Sequence, residues 1–324
     1  MNAPDLIQVE DLKVHFPLRG GLPGRPREVV RAVDGVSFAV ADGETVGVVG
    51  ESGCGKSTLA RALTRLVNPT GGRILVEGTD LARARGMALR GLRRKVQMVF
   101  QDPYSSLDPR LTVGESVGEA LAIHRLTHGR EERRRRIQGL FEAVGLDASQ
   151  AERYPHEFSG GQRQRIGLAR ALAVEPRFIV CDEAVSALDV SIQAQIVNLL
   201  QDIQAVRGIA YLFIAHDLAV VEHMARRLLV MYLGKVVESG PAREVCRAPR
   251  HPYTQALVSA APRLAGGGGL PRMVLGGDPP SPIHPPAGCP FHPRCPVAEA
   301  RCRVEMPAWR QGADARGVAC HLVP

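Results

Sequence analysis

A glycine-rich segment, GESGCGKST at positions 50–58, constrains the fold of this chain more than any other feature. It follows a nearly continuous apolar run, Thr45–Val49, and precedes an apolar stretch, Leu59–Leu66, whose composition favours a helix. Glycines allow backbone N–H groups to turn inward around an anion, and a helix beginning there presents its positive end to the same anion. The segment fits G-x-x-x-x-G-K-[ST] in a strand–loop–helix context, so it predicts a phosphate-binding loop.

The chemistry of this loop assigns roles to its side chains. Lys56 is expected to reach the β- and γ-phosphates of a nucleotide, and the Ser57 hydroxyl is expected to ligate Mg²⁺. We predict ATP contacts along the whole segment, at Gly50, Glu51, Ser52, Gly53, Cys54, Gly55, Lys56, Ser57 and Thr58.

Two further apolar runs end in polar side chains. RFIVCDE at 177–183 delivers Asp182 and Glu183, and YLFIAHD at 211–217 delivers His216. Continuous apolar runs are typical of parallel strands that are buried on both faces, and ligands of such sheets gather at the carboxyl ends of the strands. We therefore predict that Asp182 holds Mg²⁺ through water, that Glu183 acts as the general base or polarises the attacking water, and that His216 contacts the γ-phosphate.

A second anion-binding helix terminus is predicted at FSGGQRQR, positions 158–165. Ser159 is a good N-cap, and the two glycines that follow leave the first backbone amides bare. One subunit does not need two phosphate cradles for one nucleotide. A dimer resolves this, because the phosphate loop of one protomer then faces the Ser-Gly-Gly helix of the other.

Composition narrows the class of protein. The chain has 324 residues, of which 45% are hydrophobic and 23% charged, which is typical of a globular protein. The net charge of +8 comes mainly from arginine. A basic protein can contact either anionic lipid or nucleic acid, and the net charge alone does not show which of them is the partner. We predict no nucleic-acid partner. No apolar stretch is long enough for a transmembrane helix, and the N-terminal residues lack a secretory pattern, so a cytosolic location is expected.

The residue pattern of the sequence changes near position 240, which predicts two regions on either side of it. Positions 1–240 read as an α/β domain with a helical subdomain at about 102–158, where Glu131–Gly145 has the spacing of an amphipathic helix. Positions 241–324 contain a glycine run at 266–269 and a proline-rich stretch at 278–286, both typical of linkers. The remaining tail has few large apolar residues, so we expect it to need a staple such as a metal.

These motifs, in this order and spacing, resemble those of the ATP-binding cassette (ABC) ATPases over about residues 5–240. The resemblance implies a P-loop fold of the ABC nucleotide-binding type and a signature motif that binds ATP in trans. It also implies that Gln101 takes part in catalysis and Mg²⁺ binding, and that Phe16 stacks on adenine. Phe158 departs from the commoner leucine. The implied signature residues are Ser159, Gly160, Gly161 and Gln162, and those of the D-loop are Ser186, Ala187, Leu188 and Asp189.

Three stretches resemble the ATPases of oligopeptide and dipeptide importers more narrowly: VFQDPYSSLDPRLTV at 99–113, RHPYTQAL at 250–257, and the cysteine tail. The first stretch resembles the second of the two ATPase subunits that such importers carry. The resemblance implies ATP hydrolysis coupled to peptide import.

It also implies a peripheral subunit on the cytoplasmic face of the inner membrane. Its partners would be a paralogous ATPase or a second copy, two transmembrane permeases and, indirectly, an extracytoplasmic solute-binding protein. Nickel or another small solute remains an alternative cargo. A non-transport ABC ATPase is less favoured, because only roughly 100 residues separate the P-loop from the signature motif, too few for the insertions of such proteins.

Four cysteines lie in the tail: Cys289, Cys295, Cys302 and Cys320. No C-x-x-C pair is present, which disfavours a zinc knuckle, and the spacing alone leaves an iron–sulfur cluster, zinc and unliganded thiols open. The family resemblance implies a 4Fe–4S cluster, with His292 and His321 as possible replacements for one thiolate. Cys54, Cys181 and Cys246 are interpreted as small buried residues.

Overall fold

The structure is a computed structural model that describes residues 5–18, 28–102, 106–186, 188–260, 273 and 275–323. Two β-sheets and a group of helices make up this part of the chain. The predicted linker glycines at 266–269 and the D-loop residue Ala187 lie outside the described residues, as do positions 103–105.

The larger sheet has eight strands in the order β11-β12-β10-β9-β3-β8-β7-β6. Its five strands from β9 to β6 are parallel neighbours, whereas β10, β11 and β12 are added antiparallel at one edge. The strands are β3 (Thr45–Val49), β6 (Val96–Val99), β7 (Phe178–Asp182), β8 (Ala210–Ile214), β9 (Arg227–Tyr232), β10 (Lys235–Pro241), β11 (Arg310–Gln311) and β12 (Gly317–Val318). The three apolar runs predicted as buried strands are confirmed, since every residue of β3, β7 and β8 is buried.

The smaller sheet is antiparallel, in the order β2-β1-β4-β5. Its strands are β1 (Ile7–Pro17), β2 (Val29–Val40), β4 (Gly71–Val76) and β5 (Thr79–Asp80). This sheet is not apparent from the sequence pattern. The reason lies in β1, where bulges near Leu12 and His15 interrupt the alternation of buried and exposed residues that marks such strands.

Helices cover the sheets. They are α1 (Lys56–Leu63), α2 (Gly86–Lys95), α3 (Val113–Ile123), α4 (Arg130–Ala143), α5 (Gly160–Leu172), α6 (Val190–Arg207), α7 (Leu218–Met224), α8 (Ala242–Arg247) and α9 (Pro252–Ala260). Short 3₁₀ turns lie at Ala148–Glu152, Pro155–Glu157, His292–Arg294 and Ala300–Arg303.

Helices α3, α4 and α5 pack against one another. Helices α3 and α4 lie within positions 102–158, and the assignment of this stretch as a separate subdomain stays a prediction. Thr112 begins α3 with a capping box, because its hydroxyl accepts from the Glu115 N–H and the Glu115 carboxylate accepts from the Thr112 N–H. The predicted helix over Glu131–Gly145 corresponds to α4, whose Leu140 and Phe141 are buried. Phe158 is also buried, so the departure from leucine preserves an apolar contact.

The tail packs on the rest of the molecule instead of forming a core of its own. Strand β12 pairs with β10, and Phe291 enters an aromatic cluster with Tyr232 and Tyr253 at ring-centroid distances of 5.2 and 5.4 Å. Arg316 donates to the buried carboxylate of Glu238 at 2.9 Å. The tail thus borrows apolar and ionic contacts from the α/β domain, which removes the physical need for a metal staple. The division of the chain at residue 240 stays a prediction, since β10 and β12 pair across it.

The predicted 4Fe–4S cluster on Cys289, Cys295, Cys302 and Cys320 was wrong. Among the described residues, no group of three or more His, Cys, Asp or Glu side chains is arranged to hold a metal ion. Burial raises the pKa of the Cys289 thiol to about 11, and the neighbouring Cys302, Cys320 and Cys295 thiols act in the same direction. The two histidines considered as replacement ligands have other partners: His292 Nδ1 lies 2.9 Å from the Cys289 carbonyl oxygen, and His321 Nδ1 accepts from Arg301.

Cys54, Cys181 and Cys246 are buried, as interpreted from the sequence. No helix in the described ranges combines the length and apolar character needed to cross a membrane.

Candidate functional site

Strand order brings the predicted site residues to one edge of the larger sheet. The neighbouring parallel strands β3, β8, β7 and β6 lead in turn to the phosphate loop, His216, the Asp182–Glu183 pair and Gln101. A backbone hydrogen bond from Glu183 N–H to the Ile214 carbonyl, at 3.0 Å, ties two of these strand ends together. The predicted convergence at the carboxyl edge of the sheet is therefore present.

The phosphate loop wraps around the amine of Lys56. Lys56 is buried, and its Nζ donates to the carbonyl oxygens of Gly50 and Glu51 at 2.7 and 3.1 Å. Gly55 sits immediately before α1 with φ at 109°, and a Cβ there would lie 2.1 Å from the Ala32 carbonyl oxygen. Because only glycine tolerates both constraints, the loop can approach the Ala32 carbonyl closely at this position.

Ser57 and Asp182 meet across the loop. The Ser57 hydroxyl donates to Asp182 Oδ1 at 3.0 Å, and Asp182 is almost fully buried. Burial raises the pKa of the Asp182 carboxyl, and the neighbouring Glu183 charge acts in the same direction. A divalent cation would stabilise the charged form of this desolvated carboxylate. The hydroxyl and carboxylate oxygens are the hard donors that Mg²⁺ prefers, and so is the amide oxygen of Gln101. These side chains therefore fit a Mg²⁺ ion that is bound together with nucleotide phosphates.

Glu183 is positioned by contacts on several sides. Gln101 Nε2 donates to its carboxylate at 2.8 Å, and the Ser186 hydroxyl donates to its carbonyl oxygen at 2.9 Å. Its φ of 48° places a non-glycine residue in the left-handed region, which costs energy and is concentrated at functional sites. A carboxylate held in this way beside Asp182 suits a general base.

Two of the side chains predicted to contact ATP, His216 and Phe16, are accessible to solvent. His216 follows β8 and is exposed at the same edge as Glu183, while Phe16 lies at the end of β1 with 40% of its surface exposed. An exposed aromatic ring is available for stacking. The roles of both side chains stay predictions.

The Ser-Gly-Gly segment opens α5 as predicted. The Ser159 hydroxyl accepts from the Gln162 N–H at 3.3 Å, and the Gln162 side chain accepts from the Ser159 N–H at 2.9 Å. A Cβ on Gly161 would lie 2.5 Å from Cγ2 of Ile192, which stands in the first turn of α6. That turn is capped by the predicted D-loop residue Asp189, whose carboxylate accepts from the Ile192 N–H.

Two residues of the C-terminal region were missed as contributors to this site. The Tyr253 hydroxyl accepts from the Glu51 N–H at 2.7 Å, and Arg294 forms a bidentate ion pair with the Glu51 carboxylate. Tyr253 lies within the RHPYTQAL stretch that the sequence analysis singled out, but only as a mark of resemblance. Nothing in the local pattern around Arg294 indicates its partner.

Comparison with known proteins gives two family matches. Residues 33–186 match the ABC transporter family, and residues 237–302 match the C-terminal region of oligopeptide/dipeptide transporters.

Similar proteins cover nearly the whole chain. The oligopeptide transport ATP-binding protein AppF of Bacillus subtilis is 50% identical over 99% of this chain and 98% of its own length. The di/tripeptide transport ATP-binding protein DppF of Pseudomonas aeruginosa is 50% identical over 98% and 97%.

A solved structure shares the fold. A dimeric post-hydrolysis state of the ATP-binding cassette MJ0796, bound to ADP and Pi, superposes with a TM-score of 0.64 at 28% identity, covering 73% of this chain and 99% of that one. The portion that it covers is large enough to include the α/β domain, so the predicted nucleotide-binding fold is confirmed.

Proposed function

Since this chain belongs to the ABC transporter family, and within it to the oligopeptide and dipeptide transport ATP-binding proteins, we propose a mechanism in which its carboxyl-edge site hydrolyses ATP to drive peptide import. The ATPase class and the coupling to peptide transport follow from the family. The residue roles are our proposal. The observation that carries it is the convergence of Lys56, the Ser57–Asp182 pair and the Gln101–Glu183 pair at one edge of the sheet.

We propose that the phosphate loop binds ATP. Lys56 Nζ is satisfied by two loop carbonyls, and we propose that it exchanges one of these bonds for the β- and γ-phosphates. The amides of the loop and the N-terminus of α1 add donors around the same phosphates. Ser57, Asp182 and Gln101 would hold Mg²⁺, which supplies neutralisation of phosphate charge when it is bound.

We propose that Glu183 and His216 take part in ATP hydrolysis. We propose that the Glu183 carboxylate accepts a proton from the attacking water, while the Gln101 amide holds that carboxylate in place. His216, exposed at the end of the neighbouring strand, would donate to the γ-phosphate. Phe16 would stack on the adenine ring from the smaller sheet.

The signature motif serves the partner cassette. Ser159, Gly160 and Gly161 lie at the N-terminus of α5, and we propose that they bind the γ-phosphate of ATP held by the facing subunit. ABC ATPases of this kind work as dimers together with transmembrane permeases. We further propose that the facing subunit is a paralogous ATPase, and that the pair acts peripherally at the cytoplasmic face of the membrane with a binding protein on the other side.

A nucleotide-binding measurement on the Lys56→Ala variant tests the site. Charge-assisted hydrogen bonds contribute about 1.5–3 kcal/mol each, so we expect the affinity for Mg-ATP to fall by roughly 10- to 100-fold. Fluorescent nucleotide titration of the full chain measures this directly. An unchanged affinity in a folded variant would refute the assignment of Lys56.

The class of transported solute is tested with the solute-binding protein of the same transporter. We expect that protein to bind di- or oligopeptides in a calorimetric titration, and the assembled transporter to hydrolyse ATP faster when the peptide-loaded protein is added. A partner that binds Ni²⁺ and ignores peptides would instead assign this chain to import of a small solute.

A further inference from the structure

The phosphate loop is held from a distant part of the chain. Arg294 Nη1 and Nη2 donate to the two carboxylate oxygens of Glu51 at 2.6 and 3.0 Å, across 243 positions of sequence. The Arg294 side chain is 7% exposed and that of Glu51 is 28% exposed, so solvent screens this pair less than a surface pair. Bidentate arginine–carboxylate pairs have a defined geometry, which distinguishes this contact from a loose surface attraction.

A second contact from the C-terminal region reaches the same residue. The fully buried Tyr253, in the first turn of α9, accepts a hydrogen bond from the Glu51 N–H at 2.7 Å. The Glu51 carbonyl oxygen in turn accepts from Lys56 Nζ at 3.1 Å. The backbone and side chain of Glu51 are thus both engaged, and its backbone is joined directly to the lysine that serves the phosphates.

The charge of Glu51 makes this pairing consequential. A carboxylate at the second position of a phosphate loop lies close to where nucleotide phosphates bind, and like charges at such a distance repel. An unpaired Glu51 would also compete with the phosphates for the ammonium of Lys56. The bidentate bond to Arg294 neutralises the carboxylate and turns both of its oxygens toward the tail.

We propose that Arg294 is a positioning residue for ATP binding, which acts through Glu51 to keep the phosphate loop free of an uncompensated negative charge. The C-terminal region thereby sets the nucleotide affinity of the cassette to which it is docked. This inference rests on the proposed ATP site, and it assigns to the tail a role that no metal is needed to fulfil.

A charge cycle on the full-length chain tests the inference. We expect Arg294→Gln to raise the Kd for Mg-ATP about tenfold, of the order of one well-placed charge interaction. We expect Glu51→Gln, added to Arg294→Gln, to recover most of that loss, because it removes the carboxylate that Arg294 had neutralised. The Glu51→Gln single variant completes the cycle. In the assembled transporter, the effect is expected in KM for ATP more than in kcat.

Whether Glu51→Gln, added to Arg294→Gln, lowers or raises the Kd distinguishes a positioning role of Arg294 from a purely structural one. If Arg294 served only to stabilise the tail, removing its partner as well would leave binding as weak as in Arg294→Gln or weaker, and that result would overturn the inference. Arg294→Lys keeps the charge but loses the bidentate geometry, so we expect an intermediate Kd. A Lys variant as weak as the Gln variant would count against the charge argument. If Arg294→Gln fails to fold, the same cycle is measured with Arg294→Lys, and a raised Kd that Glu51→Gln does not lower would overturn the inference.

Two controls complete the design. Arg250→Gln breaks another ion pair of the C-terminal region, with Asp314 at 2.5 Å, which does not involve the phosphate loop, and it should leave the Kd within about twofold. Lys56→Ala tests the proposed function independently. If Lys56→Ala weakens Mg-ATP binding as expected while Arg294→Gln binds as wild type, this inference fails and the ATP site stands.

Discussion

Glu183 shows how a single residue is prepared for chemistry. Its backbone is held in the left-handed region, its carboxylate accepts from Gln101, and the buried Asp182 precedes it. A conformation of this kind persists only when surrounding contacts impose it. The hydrogen bond from Gln101 fixes the carboxylate without adding a charge to it.

We expect Glu183→Gln to lower the hydrolysis rate by about 10²- to 10⁴-fold, because the amide cannot accept the proton of the attacking water. ATP binding should persist, since Lys56 and the loop are untouched, and ATP-bound dimers should accumulate. Phosphate release and size-exclusion chromatography with ATP measure the two effects. Glu175→Gln is a matched control: Glu175 also has a positive φ, but it pairs with Arg136 on the surface. Near-wild-type turnover in Glu183→Gln would remove this residue from the role of base.

His251 illustrates a purely structural use of a titratable side chain. It is buried, and burial lowers its pKa from 6.5 to about 3, so the folded protein holds it neutral. The neutral ring accepts from the Tyr253 N–H at 3.1 Å and so supports the start of α9.

Stability is therefore expected to fall on acidification. The unfolded chain binds a proton at His251 below pH 6.5 and the folded chain does not, so the free energy of unfolding is expected to fall as the pH drops from 6.5 toward 3. Above pH 6.5 its contribution is complete. Urea titrations at several pH values measure the slope. In His251→Asn the slope should be shallower, whereas the exposed His223→Asn should retain the wild-type slope.

At the scale of elements, the contact between α5 and α6 links the signature motif to the D-loop. Gly161 leaves room for Ile192, and Asp189 caps the helix that carries Ile192. The spacing of the signature residues was readable from the sequence, as was the cap at Ser159. The requirement for glycine at position 161 arises from packing against a helix that begins about thirty residues later, and local propensity does not report such a contact.

Two glycines of α5 provide a matched test of this packing. Gly161→Ala should destabilise the protein by about 1–3 kcal/mol, because its Cβ meets Ile192 and forces α5 or α6 to shift. Gly167→Ala, in the same helix with open space around its Cβ, should be neutral or stabilise by up to about 1 kcal/mol. Thermal denaturation compares the two. Equal effects would mean that the contact with Ile192 is not tight.

At the scale of the whole molecule, the tail and the α/β domain share one structure. The carboxylate of Glu238 on β10 is fully buried and accepts from the N–H groups of Arg250 and His251 as well as from Arg316. The tail thus completes a buried ion pair that begins in the sheet. This arrangement explains how a region with few large apolar residues is held in place.

Breaking this pair should detach the tail. Arg316→Met keeps the apolar stem but leaves the Glu238 charge buried without its counterion, which typically costs about 3–5 kcal/mol. Arg250→Met removes the more exposed pair with Asp314 and should cost no more than about 1 kcal/mol. Chemical denaturation and limited proteolysis of the tail measure the difference. A small effect of Arg316→Met, within that of the control, would show that the tail docks by its other contacts.

The phosphate loop, the three buried strands and the polar side chains at their carboxyl ends were predictable from the sequence, because each depends on residues adjacent in the chain. The sequence also indicated α4 and the cap of α5. How the tail is held, and which residues it contacts, depends on pairs that only the folded structure brings together. Arg294 reaches Glu51 and Arg316 reaches Glu238 across long separations in the sequence, and no local period records such pairs. The 4Fe–4S prediction went wrong for the same reason, since it assumed that the tail cannot be held by burial, whereas the tail packs on the α/β domain.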